Sequence, residues 1–185
     1  MITIEAPAHL GALHPKLSNS GLTRFLNRAR LAVGLDGEVE VLLADDSALR
    51  RLNKSFRGKN KSTDVLSFPT PVEVAHSHAG DLAISLETAA RQAAAYGHTL
   101  RDEVRVLLLH GLLHLAGGDH ETDDGEMAVR EAALRRELHL PTTLIERVEK
   151  APIKKLKGHT KLVSKTEKPS RKGVQARGSQ RGRSV

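Results

Sequence analysis

Residues 100–120 read LRDEVRVLLLHGLLHLAGGDH. Val104, Leu107, Leu108, Leu109, Leu112, Leu113 and Leu115 leave almost no polar stripe. A helix apolar nearly all round is predicted to be the buried centre of its fold. Thr99 followed by Asp102 resembles a capping box at its start. Gly117 and Gly118 break the helix and let the chain turn back.

His110 and His114 interrupt this apolar run. Residues four apart on a helix share one face, so both imidazoles can point at one spot. His120 stands just past the glycine break and can reach the same spot. A lone histidine on an apolar face is usually a packed core residue. Three around a Gly-Gly break point instead to a metal site. Neutral imidazoles suit zinc, and three protein ligands leave a fourth position open, as a catalytic metal needs. Asp119, beside the third histidine, can orient an imidazole or only help form the turn. The spacing leaves both readings open. Zinc peptidases of the H-E-x-x-H type carry a glutamate directly after the first histidine as general base. Here that position is Gly111, which predicts a poor peptidase.

Working outward, Met1 to Glu5 alternates in polarity like a short strand. Leu22 to Val33 reads as an amphipathic helix with Leu22, Phe25, Leu26, Ala29 and Val33 on one face. Val39 to Ala44 suits a strand, after which Asp45 or Asp46 caps a helix carrying Leu49, Leu52 and Phe56. Val65 to Phe68 and Asp81 to Ile84 read as strands, the first closed by Pro69. Ser85 caps an alanine-rich helix that Gly97 ends. Asp123 and Glu126 open a last helix running to about Leu138. No regular βα repeat is present. The expected class is α+β, a small mixed β-sheet packed with about five helices, with the metal site at the end of the buried central helix.

The 185 residues suit one domain plus an extension. Cysteine is absent, which excludes disulfides and thiolate zinc sites and suits a reducing compartment. No apolar run approaches the ~20 residues of a membrane span. Met1 to Glu5 lacks the basic and apolar regions of a signal peptide, so cytoplasmic residence and no membrane partner are expected. The net charge of +7 hides an asymmetry. Residues 151–185 hold eleven Lys or Arg against one acid, whereas residues 1–150 hold eighteen against twenty-one. Residues 1–150 are therefore expected to form the folded domain. Residues 151–185 are too polar to offset their ordering entropy and are expected to be a disordered basic tail. Such tails attract polyanions, and weak RNA contact is the favoured reading.

A second stretch, residues 52–69, reads LNKSFRGKNKSTDVLSFP. With the histidine run, H-G-L-L-H-L-A-G-G-D-H, it resembles the bacterial YbeY family of zinc-dependent endoribonucleases, or rRNA maturation factors. Gly80-Asp81-Leu82-Ala83-Ile84-Ser85 matches a third family element, so the resemblance spans about residues 35–140. It departs at Gly118, where the family commonly has an aromatic residue, and at Ala116, in place of a bulkier aliphatic. Neither change removes a ligand.

The resemblance implies one zinc ion held by His110, His114 and His120, in a cleft beside a groove for single-stranded RNA. It implies an important arginine at the position of Arg57, whose planar fork fits phosphate. His114 and Arg57 are thus the expected catalytic residues, with Asp119 behind the ligands. The implied role is single-strand-specific cleavage in 16S rRNA 3′-end maturation and ribosome quality control. Implied partners are the 16S rRNA precursor, the small ribosomal subunit with protein uS11, and the Era GTPase. Zinc activation of water or of the RNA 2′-hydroxyl both remain open, as does the general base.

Other candidates are weaker. His76 and His78 are expected in a solvated loop. His9, His14, His98, His139 and His159 stand isolated. Met127 reads as core and Ser67 as a strand residue, while Thr63 and Asp64 can brace the cleft. Two rivals stand beside the nuclease. One is a zinc peptidase or other zinc hydrolase. The other is a non-catalytic assembly factor stapled by zinc.

Overall fold

The computed structural model describes residues 1–4, 17–71, 75–118 and 123–141. His120, Asp119, the segment 151–185 and the boundary near residue 150 lie outside these residues.

Strand β1 (Ile2–Ile4) is followed by helix α1 (Asn19–Val33) and strand β2 (Glu38–Ala44). Helix α2 (Asp46–Arg57) leads to strands β3 (Val65–Pro69) and β4 (His78–Ser85). Helices α3 (Leu86–Tyr96), α4 (Leu100–Leu115) and α5 (Glu126–Glu137) complete the described elements. The strands form one mixed sheet in the order β1-β2-β4-β3. β1 and β4 each run parallel to β2, and β3 runs antiparallel to β4 as an edge strand. The expected α+β class is the observed one.

Alternation along the strands separates two apolar layers. Val39, Val41 and Leu43 of β2 and Leu82 and Ile84 of β4 join the side chains of α1, α3 and α4 in the main core. On the opposite face, Ala44, Leu66 and Ala83 meet Leu49 of α2 in a smaller cluster. The predicted face of α1 is the buried one, Leu22, Phe25, Leu26, Ala29 and Val33. Helix α4 is the centre of the main core, and Val104 and Leu107 to Leu109 are wholly buried.

The caps follow their chemistry. Asp45, not Asp46, caps α2, accepting from the Ala48 amide at 2.7 Å. Asp46 instead ties three elements together. Its carboxylate accepts from the hydroxyls of Ser62, Ser85 and Thr88 and from Arg91. Ser85 and Thr99 cap α3 and α4 as expected, and Gly97 ends α3 in the left-handed region. Asp123 accepts from the Gly125 and Met127 amides at the start of α5.

Three expectations need correction. β4 begins at His78, which pairs with Glu38 of β2 and sits 3.1 Å from Asp81, so His78 is a strand residue and not part of a solvated loop. Its backbone is drawn into the sheet because the first residues of β2 need ladder partners. Pro69 belongs to β3, opposite Gly80, which an edge strand tolerates. Phe56 does not join Leu49 beneath α2. The cluster there is small, Leu52 and Phe68 pack against it, and Phe56, edge-on to Phe68, is 68% exposed.

Candidate metal centre

Helix α4 reaches the sheet through Gly111. A β-carbon built there would lie 2.7 Å from Leu82 Cδ2 and 3.3 Å from Val65 Cγ2, so a side chain fits only if Leu82 moves. Ser67 of β3 donates its hydroxyl to the Gly111 carbonyl at 3.2 Å. The position that bears the general base in H-E-x-x-H peptidases therefore faces β3 and β4. A glutamate at this position would be pressed into the sheet, which gives the absence read from sequence a structural reason.

The neighbouring residues turn the other way. The His110 and His114 rings stand at 82° to each other with centroids 4.7 Å apart. Their Nε2 atoms are 3.1 Å apart. His110 Nδ1 lies 2.9 Å from Glu131 Oε2, and His114 Nδ1 lies 2.8 Å from the Gly118 carbonyl oxygen. A carbonyl can only accept, and so can an ionised carboxylate. Both Nδ1 atoms are therefore donors. A neutral imidazole carries a single N–H, so in the neutral form of both rings each Nε2 is the bare nitrogen that ligates a metal. One divalent ion can reach both Nε2 atoms across this 3.1 Å separation.

Glu131 is ionised despite its burial. Burial alone would push its carboxyl up, but the hydrogen bond from His110 and the charge of Arg135 outweigh this and hold it below the ordinary range. Arg135, 2% exposed, donates Nε to Glu131 Oε1 at 2.8 Å and adds a second bond from Nη2. One carboxylate thus orients an imidazole with one oxygen and neutralises a buried guanidinium with the other. Sequence reasoning missed Glu131 and offered Asp119 for that orienting role. The available signal was the Glu131–Arg135 spacing of four inside a helix that must bury one side.

The Gly117–Gly118 break also has a defined task. Gly117 takes a left-handed φ of 86°, and the Gly118 amide then returns to the Leu113 carbonyl at 2.9 Å. This aims the Gly118 carbonyl at His114. Met127, buried as predicted, occupies the space a side chain at Gly118 would need, with Cγ and Sδ 3.2 Å from a built β-carbon. The departure from an aromatic residue is thus filled by methionine.

The remaining candidates sort clearly. Arg57 is the exposed last residue of α2, and its side chain makes no ion pair or hydrogen bond among the described residues. Asp64 braces β3 against α3, accepting from the Val65 amide and from Gln92 Nε2. His98, isolated in sequence, makes a buried hydrogen bond with Glu103 and stacks on Tyr96, tying the α3–α4 turn. Among the described residues no three His, Asp or Glu side chains converge on one point. Two imidazoles do, and they fit a nitrogen-preferring divalent ion such as zinc. No helix among the described residues is long and apolar enough to cross a membrane.

Known proteins agree with this architecture. Residues 14–139 match the family model described as Endoribonuclease YbeY. An Endoribonuclease YbeY of Koribacter versatilis is 52% identical over 139 residues, covering 75% of this chain and 89% of its own. One from Nautilia profundicola is 47% identical over 114 residues, covering 62% and 81%. The solution structure of TM1509 from Thermotoga maritima superposes with a TM-score of 0.50 at 28% identity, over 75% of this chain and 89% of that one.

Proposed function

The chain belongs to the YbeY endoribonuclease family, and from that premise we propose that it is a zinc-dependent endoribonuclease that cuts single-stranded RNA. The observation that carries the metal is the convergence of two imidazoles whose Nε2 atoms lie 3.1 Å apart, with each Nδ1 held on its far side by Glu131 or the Gly118 carbonyl. His110 and His114 are two ligands, and His120 is the third. A bound zinc ion would polarise a phosphoryl oxygen and lower the pKa of a bound water toward ~7.

The chain's own residues do the rest. Glu131 and the Gly118 carbonyl hold the two imidazoles in the ligating tautomer. Asp119 then remains for His120. Arg57, exposed and unpaired among the described residues, binds a phosphate of the RNA and offsets charge that develops on it. Gly111, packed on the sheet, supplies no base, which disfavours peptide hydrolysis.

The same proposal places the substrate in the 16S rRNA precursor, with 3′-end maturation and ribosome quality control as the role. The small ribosomal subunit, protein uS11 and Era are the partners, and the cytoplasm is the setting. The basic segment 151–185 adds affinity for RNA through counterion release.

The test is cleavage of single-stranded RNA with metal analysis, on the wild type and on His114→Ala. The wild type should carry one equivalent of zinc and cut RNA, and the variant should do neither. Stoichiometric zinc and full cleavage in the variant would remove the site.

A further inference from the structure

We propose that Phe56, braced by Phe68, is a stacking platform for one unpaired base of a single-stranded RNA whose phosphates lie along the cations of α2 and the loop after it. This rests on the RNA-cleaving reading and adds a base-binding position to it.

The charge is concentrated there. Residues 47–63 carry six Lys or Arg and no acid, although residues 1–150 as a whole have more acids than bases. Arg50, Arg51, Lys54, Arg57, Lys59 and Lys61 are all exposed. The aromatics are concentrated there too. The chain has three phenylalanines and no tryptophan. Phe25 is buried in the main core. The other two form this pair, with ring centroids 4.9 Å apart and planes at 66°. A single tilted contact covers little of a ring, and Phe56 stays 68% exposed. An exposed aromatic alone is unremarkable. An exposed aromatic inside an acid-free basic stretch is the combination that binds single strands, backbone on the cations and base on the ring. A duplex offers no such base, because its bases already stack on one another.

The position fits the metal centre. Side chains of β3 alternate, so Phe68 packs on the α2 side while Ser67 reaches the Gly111 carbonyl beside His110. β3 is an edge strand. A chain laid over that edge leads from the stacked base toward the imidazoles.

Because the chain has no tryptophan, Phe56→Trp creates a single tryptophan at an exposed position, which can be excited at wavelengths that Tyr96 does not absorb. The full-length zinc-loaded variant is titrated with a short oligouridylate and with an abasic oligonucleotide of equal charge. The expected result is quenching by the first and little by the second. Phe56→Ala should lose about 5- to 150-fold in oligouridylate affinity, the worth of one base–aromatic stack. Its KM for RNA should rise with kcat unchanged, and its affinity for the abasic chain should hold. Equal quenching by both chains, no quenching by either, or unchanged affinity in Phe56→Ala overturns the platform. An acidic protein as the true occupant would give that base-independent result. Wild-type cleavage measured in parallel separates the two proposals. Cleavage without base-dependent quenching removes the platform alone, whereas quenching without cleavage keeps the platform and removes the nuclease.

Discussion

Glu131 on α5 accepts the Nδ1 proton of His110 on α4 at 2.9 Å, across 21 residues of sequence. The contact couples the fold to the proposed metal site, because the same carboxylate neutralises Arg135. The two roles can be separated by substitution.

Glu131→Gln keeps a hydrogen-bonding side chain of the same shape but removes the charge. Zinc affinity should fall about 10- to 100-fold, as for other outer partners of metal-bound histidines. Glu131→Ala should also unfold more easily, by about 3–5 kcal/mol, because it leaves Arg135 buried without its counter-charge. Competition with a chelator reads the first effect, and urea unfolding reads the second. Unchanged zinc affinity in Glu131→Gln would mean that His110 needs no orienting carboxylate.

At Gly111 helix propensity and packing oppose each other. Propensity alone predicts that Gly111→Ala stabilises α4 by about 1 kcal/mol. The built β-carbon, 2.7 Å from Leu82 Cδ2, predicts overpacking, which typically costs about 1–3 kcal/mol. Leu82 is itself 1% exposed and has little room to yield. The expected net is a loss of up to about 2 kcal/mol by urea denaturation. A gain would show that β4 can move away from α4.

Asp46 makes stability acid-sensitive. Partial burial pushes its carboxyl up, but bonds from Ser85, Thr88, Arg91 and Ser62 outweigh this and hold it at about 2, below the ordinary 3.8. A depressed folded value means that the stabilisation is present above the unfolded value and lost as pH falls through the folded one. The stability difference between wild type and Asp46→Asn should therefore be steady above pH 4 and shrink between about 4 and 2. Thermal melts across that window check it. A difference independent of pH would mean that Asp46 acts only as a neutral acceptor.

Arg57→Glu should retain zinc and the wild-type melting temperature, since Arg57 is exposed and unpaired among the described residues. RNA cleavage should be lost, and the salt dependence of RNA binding should become shallower by about one phosphate contact. Turnover at the wild-type level would take Arg57 out of the site.

Much of this was legible in the residues. The apolar wrap of residues 100–115 announced a central helix, and the β-compatible runs beginning at Val39 and Val65 announced strands. The spacing of His110 and His114 announced their convergence, because periodicity is a local property of the chain. Ser85, Thr99 and Gly97 marked helix ends because capping is satisfied within a few residues. The family resemblance rested on short contiguous motifs, which survive in any single sequence.

Other features required the assembled fold. That Glu131 meets His110, that Gly111 faces β4, and that His98 makes a buried hydrogen bond with Glu103 depend on packing directions. So does the exposure of Phe56, whose spacing matched a buried face. The chain alone determined which residues could share a helix face and which could end it, since both follow from backbone geometry over a turn or two. The tertiary structure decided what each face meets, because burial and tautomer are properties of neighbours that sequence distance does not specify.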